Sequence, residues 1–266
     1  MFPELKHLSP SSVNSFIENR YQWYRNKIIG DKFKGSIHTC RGTAVEAGIN
    51  HWLNGDTEAT VEANKVAIET FIRESESIKD TKEFQEKQLA FRQSIPYLVN
   101  KGIQSVQEKY LDKFNRMPIQ QYKITINVPD CKIPVIGYLD WFFPDQMVVD
   151  NKVSGSHPKE LSQSYKVQGS VYTKATGLPV EFHFETWDMR LKSDDKGKVV
   201  SIPLIESDIN IGWAIFCRAC KAIENIMEKI QLMDGQLLED LFLVNPDSMW
   251  SEEDKLESMK NCGILV

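Results

Sequence analysis

Asp140 interrupts an apolar run, Tyr138-Leu139-Asp140-Trp141-Phe142-Phe143. A carboxylate in such a strand is costly unless it is paired or bound to a cation. After a turn at Pro144-Asp145 comes a second run, Met147–Val153, carrying Asp150-Asn151-Lys152. Period two puts Asp150 and Lys152 on one face. It also puts Tyr138, Asp140 and Phe142 on one face of the first run, with Leu139, Trp141 and Phe143 on the other. Two carboxylates on adjacent antiparallel strands can converge to metal-bridging distance. Oxygen donors of this kind suit Mg²⁺ or Mn²⁺. A lysine beside them can orient or help deprotonate a water and stabilise negative charge in a transition state. Singly, each residue has a plainer reading. Asp140 could be a strand-end residue or an ion pair, Asp150-Asn151 a turn, and Lys152 a solvated end.

Further positions could serve such a site. Glu46 follows Gly42 on a helical pattern, where its carboxylate could turn towards the strands as a third acid; the alternative is a first-turn Glu favoured by the helix dipole. Gly42 would allow close approach of a phosphate or another element. Gln168 and Tyr172 share a helix face at i, i+4, able to donate to a phosphate or stack, or simply to pack. Arg20, Arg25, Lys27, Lys32, Lys34 and Arg41, interleaved with Tyr21, Trp23 and Tyr24, could line a nucleic-acid groove or form a solvated face.

The elements that must position these residues follow from hydrophobic periodicity. Ser9 or Ser11 caps a helix carrying Val13, Phe16 and Ile17. A second helix starts near Arg41-Gly42-Thr43, buries Val45, Ile49 and Trp52, and stops at Asn54-Gly55-Asp56. Residues 57–115 read as two or three more helices. Strands are expected over Gln121–Val128, Ile133–Phe143 and Met147–Val153. A helix over Lys159–Thr176, with Leu161, Tyr165, Gln168 and Tyr172 on one face, ends at Gly177. Strands over Val180–Met189 and Lys198–Ile205, separated by a turn at Ser193–Gly197, precede a helix over Ile211–Gln231. This order makes a mixed α/β (α+β) fold with a helical N-terminal region.

Composition sets the outer bounds. The chain has 266 residues, 41% hydrophobic and 26% charged, with a net charge of −5. A length of this order can bury a core without disulfides or a structural metal. No apolar run is long enough to span a bilayer, no signal peptide is visible, and five cysteines fit a reducing cytoplasm. An acidic protein does not coat nucleic acid by bulk electrostatics, but hydrolysing a phosphodiester calls for just such acids. The histidines show no metal spacing, and there is no phosphate loop of the ATPase type and no G-x-S-x-G elbow.

Taken together, Gly42-x-x-x-Glu46, Gly137-Tyr138-Leu139-Asp140, Val148-Val149-Asp150-Asn151-Lys152 and Gln168-x-x-x-Tyr172 resemble the PD-(D/E)XK nuclease superfamily. The branch they look nearest to holds RecB-like nucleases and the phage lambda exonuclease, and Leu8-Ser9-Pro10-Ser11-Ser12…Phe16 is similar to its first helix. The resemblance implies a central mixed β-sheet flanked by helices with an αβββαβ core, in a single domain over 1–266 with a helical insertion at about 57–118. It implies that Asp140, Asp150 and Glu46 bind Mg²⁺ or Mn²⁺, with the backbone carbonyl of Asn151 or Val153 completing the coordination sphere. Lys152 would position the attacking water, and Gln168 and Tyr172 would support the site or touch the nucleic-acid backbone. Glu46 is closer to the lambda-exonuclease pattern than to the His of many RecB-like proteins. An iron–sulfur cluster, held in some relatives, is not expected: Cys217-x-x-Cys220 lies on a helical pattern, Cys262 is distant, and no cysteine falls around Tyr21–Tyr24. The implied activity is a DNA exonuclease of recombination or repair, encoded by a phage or a bacterium and acting in the cytoplasm. The partners are duplex or single-stranded DNA and a homo-oligomer or recombination protein, with no membrane. The alternatives are an endonuclease, structure-specific or of restriction type, and a DNA-binding subunit without activity.

Overall fold

The computed structural model describes residues 5–31, 35–55, 60–192 and 195–232. Lys32, Lys34, Cys262 and part of the expected turn at Ser193–Gly197 lie outside them. The chain begins with α1 (Pro10–Glu18) and α2 (Arg20–Tyr24), the latter continued by a π-helical turn to Ile29. Next come α3 (Ile37–Asn54), α4 (Thr60–Ser75), α5 (Lys82–Val106) and, after a second π turn, the short α6 (Asp112–Phe114). The strands are β1 (Ile119–Ile126), β2 (Val135–Phe143) and β3 (Met147–Ser154); α7 (Gln163–Thr176) leads to β4 (Val180–Trp187), β5 (Gly197–Pro203) and α8 (Glu206–Leu232). Among the described residues, no helix is long and apolar enough to cross a membrane.

The five strands lie in chain order in one sheet. β3 and β4 pair in parallel, and the other neighbours pair antiparallel. A parallel pair needs a crossover, which α7 supplies. The protein is therefore a mixed α/β fold, a central mixed sheet flanked by helices, and α3-β1-β2-β3-α7-β4 runs in the αβββαβ order. One sheet face packs Trp141, Phe143 and Val149 against α3, α4 and α5. The other packs Val148, Phe182 and Phe184 with Tyr172 of α7. Each such apolar side chain, fully buried, contributes about 1.5–3 kcal/mol.

Local chemistry sets the ends of the elements that carry the site. Ser9 caps α1, its side chain accepting from Ser12 N. Ser36 Oγ accepts from Thr39 N at 3.2 Å, so α3 starts at Ile37, ahead of the Arg41 start that its apolar stripe suggests. Gly42 thus sits inside the helix, and among the described residues nothing beyond the helix's own backbone lies within 4 Å of where its Cβ would be, so no other described element approaches it closely. Ser162 caps α7, leaving Leu161 buried just ahead of the helix, and Gly177, with φ of 72°, ends it in the left-handed region.

Strict alternation fails in β2. Leu139 and Phe142 pack with the α7-side cluster, while Trp141 and Phe143 pack with the α3–α5 cluster. Leu139 and Trp141 therefore face opposite ways, although they are two residues apart. β1 makes the same switch. Gln120 exchanges hydrogen bonds with Asn54 of α3, whereas Tyr122 stacks on Phe142. Between them lies Gln121, with φ of 48°, across the ribbon from Asp140. Gln120 pairs with Trp141 and Tyr122 with Leu139, so no residue is inserted; both strands turn over together. Asp140 is left at the point of rotation.

Candidate active site

The site lies where β2 leaves β3. Their pairing runs only from Phe143↔Met147 to Trp141↔Val149. Beyond it the backbone N–H of Asn151 is free to donate to Asp140 Oδ2, at 2.8 Å. Lys152 Nζ lies 3.9 Å from the same oxygen and touches Asp150 Oδ2. Asp140, Asp150 and Lys152 thus converge. Lys152 Nζ also donates to the Asn151 carbonyl at 3.3 Å, which brings that oxygen into the group.

Gln168 and Tyr172 close the α7 side. Gln168 Nε2 donates to Asp150 Oδ1 at 3.3 Å and to Tyr172 Oη at 2.7 Å. Tyr172 is buried, and its hydroxyl donates to the Tyr138 carbonyl at 3.4 Å. Its direct partners are protein groups, so here the two residues orient Asp150 and close the site.

Glu46 approaches from α3. Asn50, one turn further on, donates to Glu46 Oε1 at 3.5 Å and accepts from Trp141 Nε1 at 2.8 Å, which ties α3 to β2. Gln121 joins the acids directly: its Nε2 donates to Glu46 Oε1 at 2.9 Å and to Asp140 Oδ1 at 3.3 Å.

Electrostatics follow from this crowding. Burial, then the Asp140 charge, pushes Glu46 up to about 7. Burial pushes Asp150 up to about 7 against the pull of Lys152. Burial opposes the Lys152 charge, but Asp150 and Asp140 outweigh it and raise the ammonium above its usual value. Lys152 is therefore a held cation, suited to orienting a water and stabilising negative charge.

A divalent ion fits these donors. Asp150 Oδ2 is buried, and its close polar neighbour is the Lys152 ammonium, an ion pair rather than a regular hydrogen bond. Among the described residues, no three His, Cys, Asp or Glu side chains are grouped closely enough to hold an ion by themselves. Mg²⁺ does not need three, since it usually binds through one or two carboxylates and keeps several waters. Asp140 and Asp150 would be the side-chain donors, with the Asn151 carbonyl beside them. Glu46 is one residue out, reached through Gln121. The Val153 side chain packs on the helical cluster, on the face away from Asp150 and Lys152.

Arg41 does not line a groove. It is 2% exposed, with its guanidinium 4.3 Å over the Phe91 ring and Nε without a hydrogen-bond partner. Its stem and head fill a gap between α3 and α5, and burial lowers it to about 10. Tyr21, Trp23 and Tyr24 are likewise core residues, so they are no stacking surface. Trp23 Nε1 donates to Ser12 Oγ at 3.0 Å. Tyr21 and Trp23 lie on nearly opposite sides of α2, so the helix is covered on more than one side. Cys217 and Cys220 lie on α8 as free thiols.

Sequence reasoning missed a buried polar chain under the site. The Asn151 amide, turned so that both groups are satisfied, donates to both oxygens of Glu185 at 3.0 Å. Glu185 Oε1 is 3.3 Å from His183 Nε2, and His183 Nδ1 is 3.2 Å from Tyr110 Oη. Tyr110 in turn donates to Glu181, whose side chain is mostly buried. Burial drives Glu185 well above the usual carboxylate range and His183 down to about 3, both towards the neutral form. The only signal in sequence was polar residues at Glu185 and His183 in an apolar strand.

The fold is similar to that of a candidate exonuclease from Eubacterium rectale, at 15% identity over 82% of each chain, with a TM-score of 0.56. This chain shares that protein's fold. Slighter likenesses are to an alkaline exonuclease from Laribacter hongkongensis. One structure shows 13% identity over 48% of this chain and 70% of that one, with a TM-score of 0.29. The other, in complex with dAMP, shows 11% identity over 74% and 96%, with a TM-score of 0.30. No protein-family profile and no curated protein matches the chain.

Proposed function

We propose that this protein is a Mg²⁺- or Mn²⁺-dependent deoxyribonuclease of the PD-(D/E)XK type, hydrolysing phosphodiester bonds from DNA ends in recombination or repair. The observation that carries the reading is the convergence of Asp140, Asp150 and Lys152 at the opening between β2 and β3. Nothing in sheet packing calls for two acids and a lysine at one point. The exonuclease assignment of the Eubacterium rectale neighbour supports action at ends.

Asp140 and Asp150 would hold the ion, with Glu46 behind them. A bound divalent cation supplies polarisation of the scissile phosphate and a lowered pKa for the attacking water. Lys152, kept charged by two carboxylates, orients that water and offsets charge building on the phosphate oxygens. Gln168 fixes Asp150, and Asn151 N–H fixes Asp140, so both carboxylates are aimed before substrate arrives.

The test is digestion of 5′- and 3′-labelled linear duplex and single-stranded DNA, beside closed circles, with Mg²⁺, Mn²⁺ or EDTA. Metal-dependent loss of linear DNA with circles spared is the expected result, and the order of label loss gives polarity. Cut circles would make the enzyme an endonuclease. No cleavage with either metal would overturn the enzymatic reading in favour of a DNA-binding subunit.

A further inference from the structure

Gln121 stands in a conformation that its residue type disfavours. With φ of 48° it is left-handed, in the middle of a strand. Side chains with a Cβ pay about 1–2 kcal/mol for that region, and such outliers persist only where the surroundings over-determine them. Nothing about the β1–β2 pairing demands the kink, because the register is the same on both sides of it.

The kink achieves two things. It turns both strands over, so that Asp140 leaves the packed faces and meets Asn151 N–H and Lys152. It also lifts the Gln121 amide to span two acids, at 2.9 Å from Glu46 Oε1 and 3.3 Å from Asp140 Oδ1. Those acids come from different elements, α3 and β2, and repel each other. A neutral amide donating to both keeps them together while leaving their remaining lone pairs open.

We propose that Gln121 is a positioning residue for the metal-binding carboxylates: its amide ties Glu46 to Asp140 and sets the affinity of the site for a divalent cation. This rests on the metal-dependent reading of the site. A group that orients ligating carboxylates typically contributes about 10–100-fold in metal affinity.

The experiment is calorimetric titration of the full chain with MnCl₂, without DNA, for wild type, Gln121→Gly and Gln121→Asn. Both substitutes accept left-handed backbone, so the kink survives while the amide is lost in one and shortened in the other. Melting in EDTA verifies folding, and Gln121→Gly should melt at or above the wild-type temperature. The expected result is Mn²⁺ binding weakened about tenfold or more in Gln121→Gly, with Gln121→Asn between it and wild type. A residue needed only for backbone shape would leave the affinity unmoved in both. Wild-type affinity in Gln121→Gly overturns the proposal, and wild-type protein that binds no Mn²⁺ overturns it together with the metal-dependent function. Cleavage is scored separately: wild-type protein that binds Mn²⁺ but cuts no DNA would sink the nuclease reading, while the affinity comparison still decides this one.

Discussion

The β1–β2 ribbon and the β3–β4 pair each deliver one carboxylate to the same point. The ribbon turns over at Gln121, and Asp140 keeps 15% of its side chain exposed. The β3–β4 pair runs unbroken from Val148↔Val180 to Ser154↔Thr186, and the Asp150 side chain is 1% exposed. Asp140 is aimed by backbone shape and a few partly wet hydrogen bonds. Asp150 is aimed by burial, with Lys152 and Gln168 as its polar neighbours. A site assembled this way has one rigid, costly half and one adjustable half. On the metal-dependent reading, a cation would enter through the adjustable half without unpacking the core.

The comparison can be broken most severely at Lys152. Lys152→Ala should lower cleavage by about 10³-fold or more, since it removes the fixed positive charge at the reacting phosphate. It should leave DNA binding largely intact, and steady-state digestion beside a gel-shift assay would check both. Melting in EDTA should also drop, because Asp150 loses its counter-charge, and Mn²⁺ should restore part of the loss by binding the native state.

The rigid half is next. Glu185→Ala should destabilise the protein by about 2–4 kcal/mol in urea unfolding, because it opens a cavity and leaves the buried Asn151 amide without its acceptor. Glu185→Gln, which keeps the shape, should cost far less. A similar cost for both would mean that the β3–β4 network is not held as described.

A pH series sharpens the same contrast. His183 faces Tyr110, Glu185 and Ser201, with the charge of Lys109 nearby, and its folded value is down at about 3. The unfolded chain takes up a proton on this histidine near 6.5, where the folded protein does not. The His183 contribution to stability is therefore complete above pH 6.5 and falls as pH drops towards 3, by at most about 1.4 kcal/mol per pH unit. Urea midpoints of wild type and His183→Gln across that range should converge as the medium becomes acid. Parallel curves would refute the neutral histidine.

The smallest effect belongs to the ribbon. Gln120→Ala breaks an exposed pair with Asn54 and should cost under about 1 kcal/mol of stability.

The sequence was most informative where local rules decide. The strands flanking Pro144-Asp145 were legible from their apolar, β-branched and aromatic runs on either side of a turn, and the end of α7 was legible from Gly177. The order of Asp140, Asp150, Lys152, Gln168 and Tyr172 marked the residues that come together. The start of α3 was missed because the stripe of Val45, Ile49 and Trp52 continues back through Ala44, Cys40 and Ile37 to the Ser36 cap, across less apolar positions. Arg41 looked like a surface cation, yet it fills a core gap over Phe91, a contact made between distant helices. Period two misassigned the faces around Asp140, because a glutamine in the left-handed region leaves no mark in sequence. Glu185 beneath Asn151 was hidden for a related reason: the contact depends on the parallel register of two strands joined through a helix.

The most direct measurement compares wild type with Asp150→Asn on end-labelled linear DNA, with Mn²⁺ or with EDTA. The predicted result is wild-type cleavage that needs Mn²⁺ and a variant that folds and binds DNA but leaves the substrate whole. Cleavage by Asp150→Asn at the wild-type rate, or wild-type cleavage that continues in EDTA, would contradict a metal site built on Asp140 and Asp150.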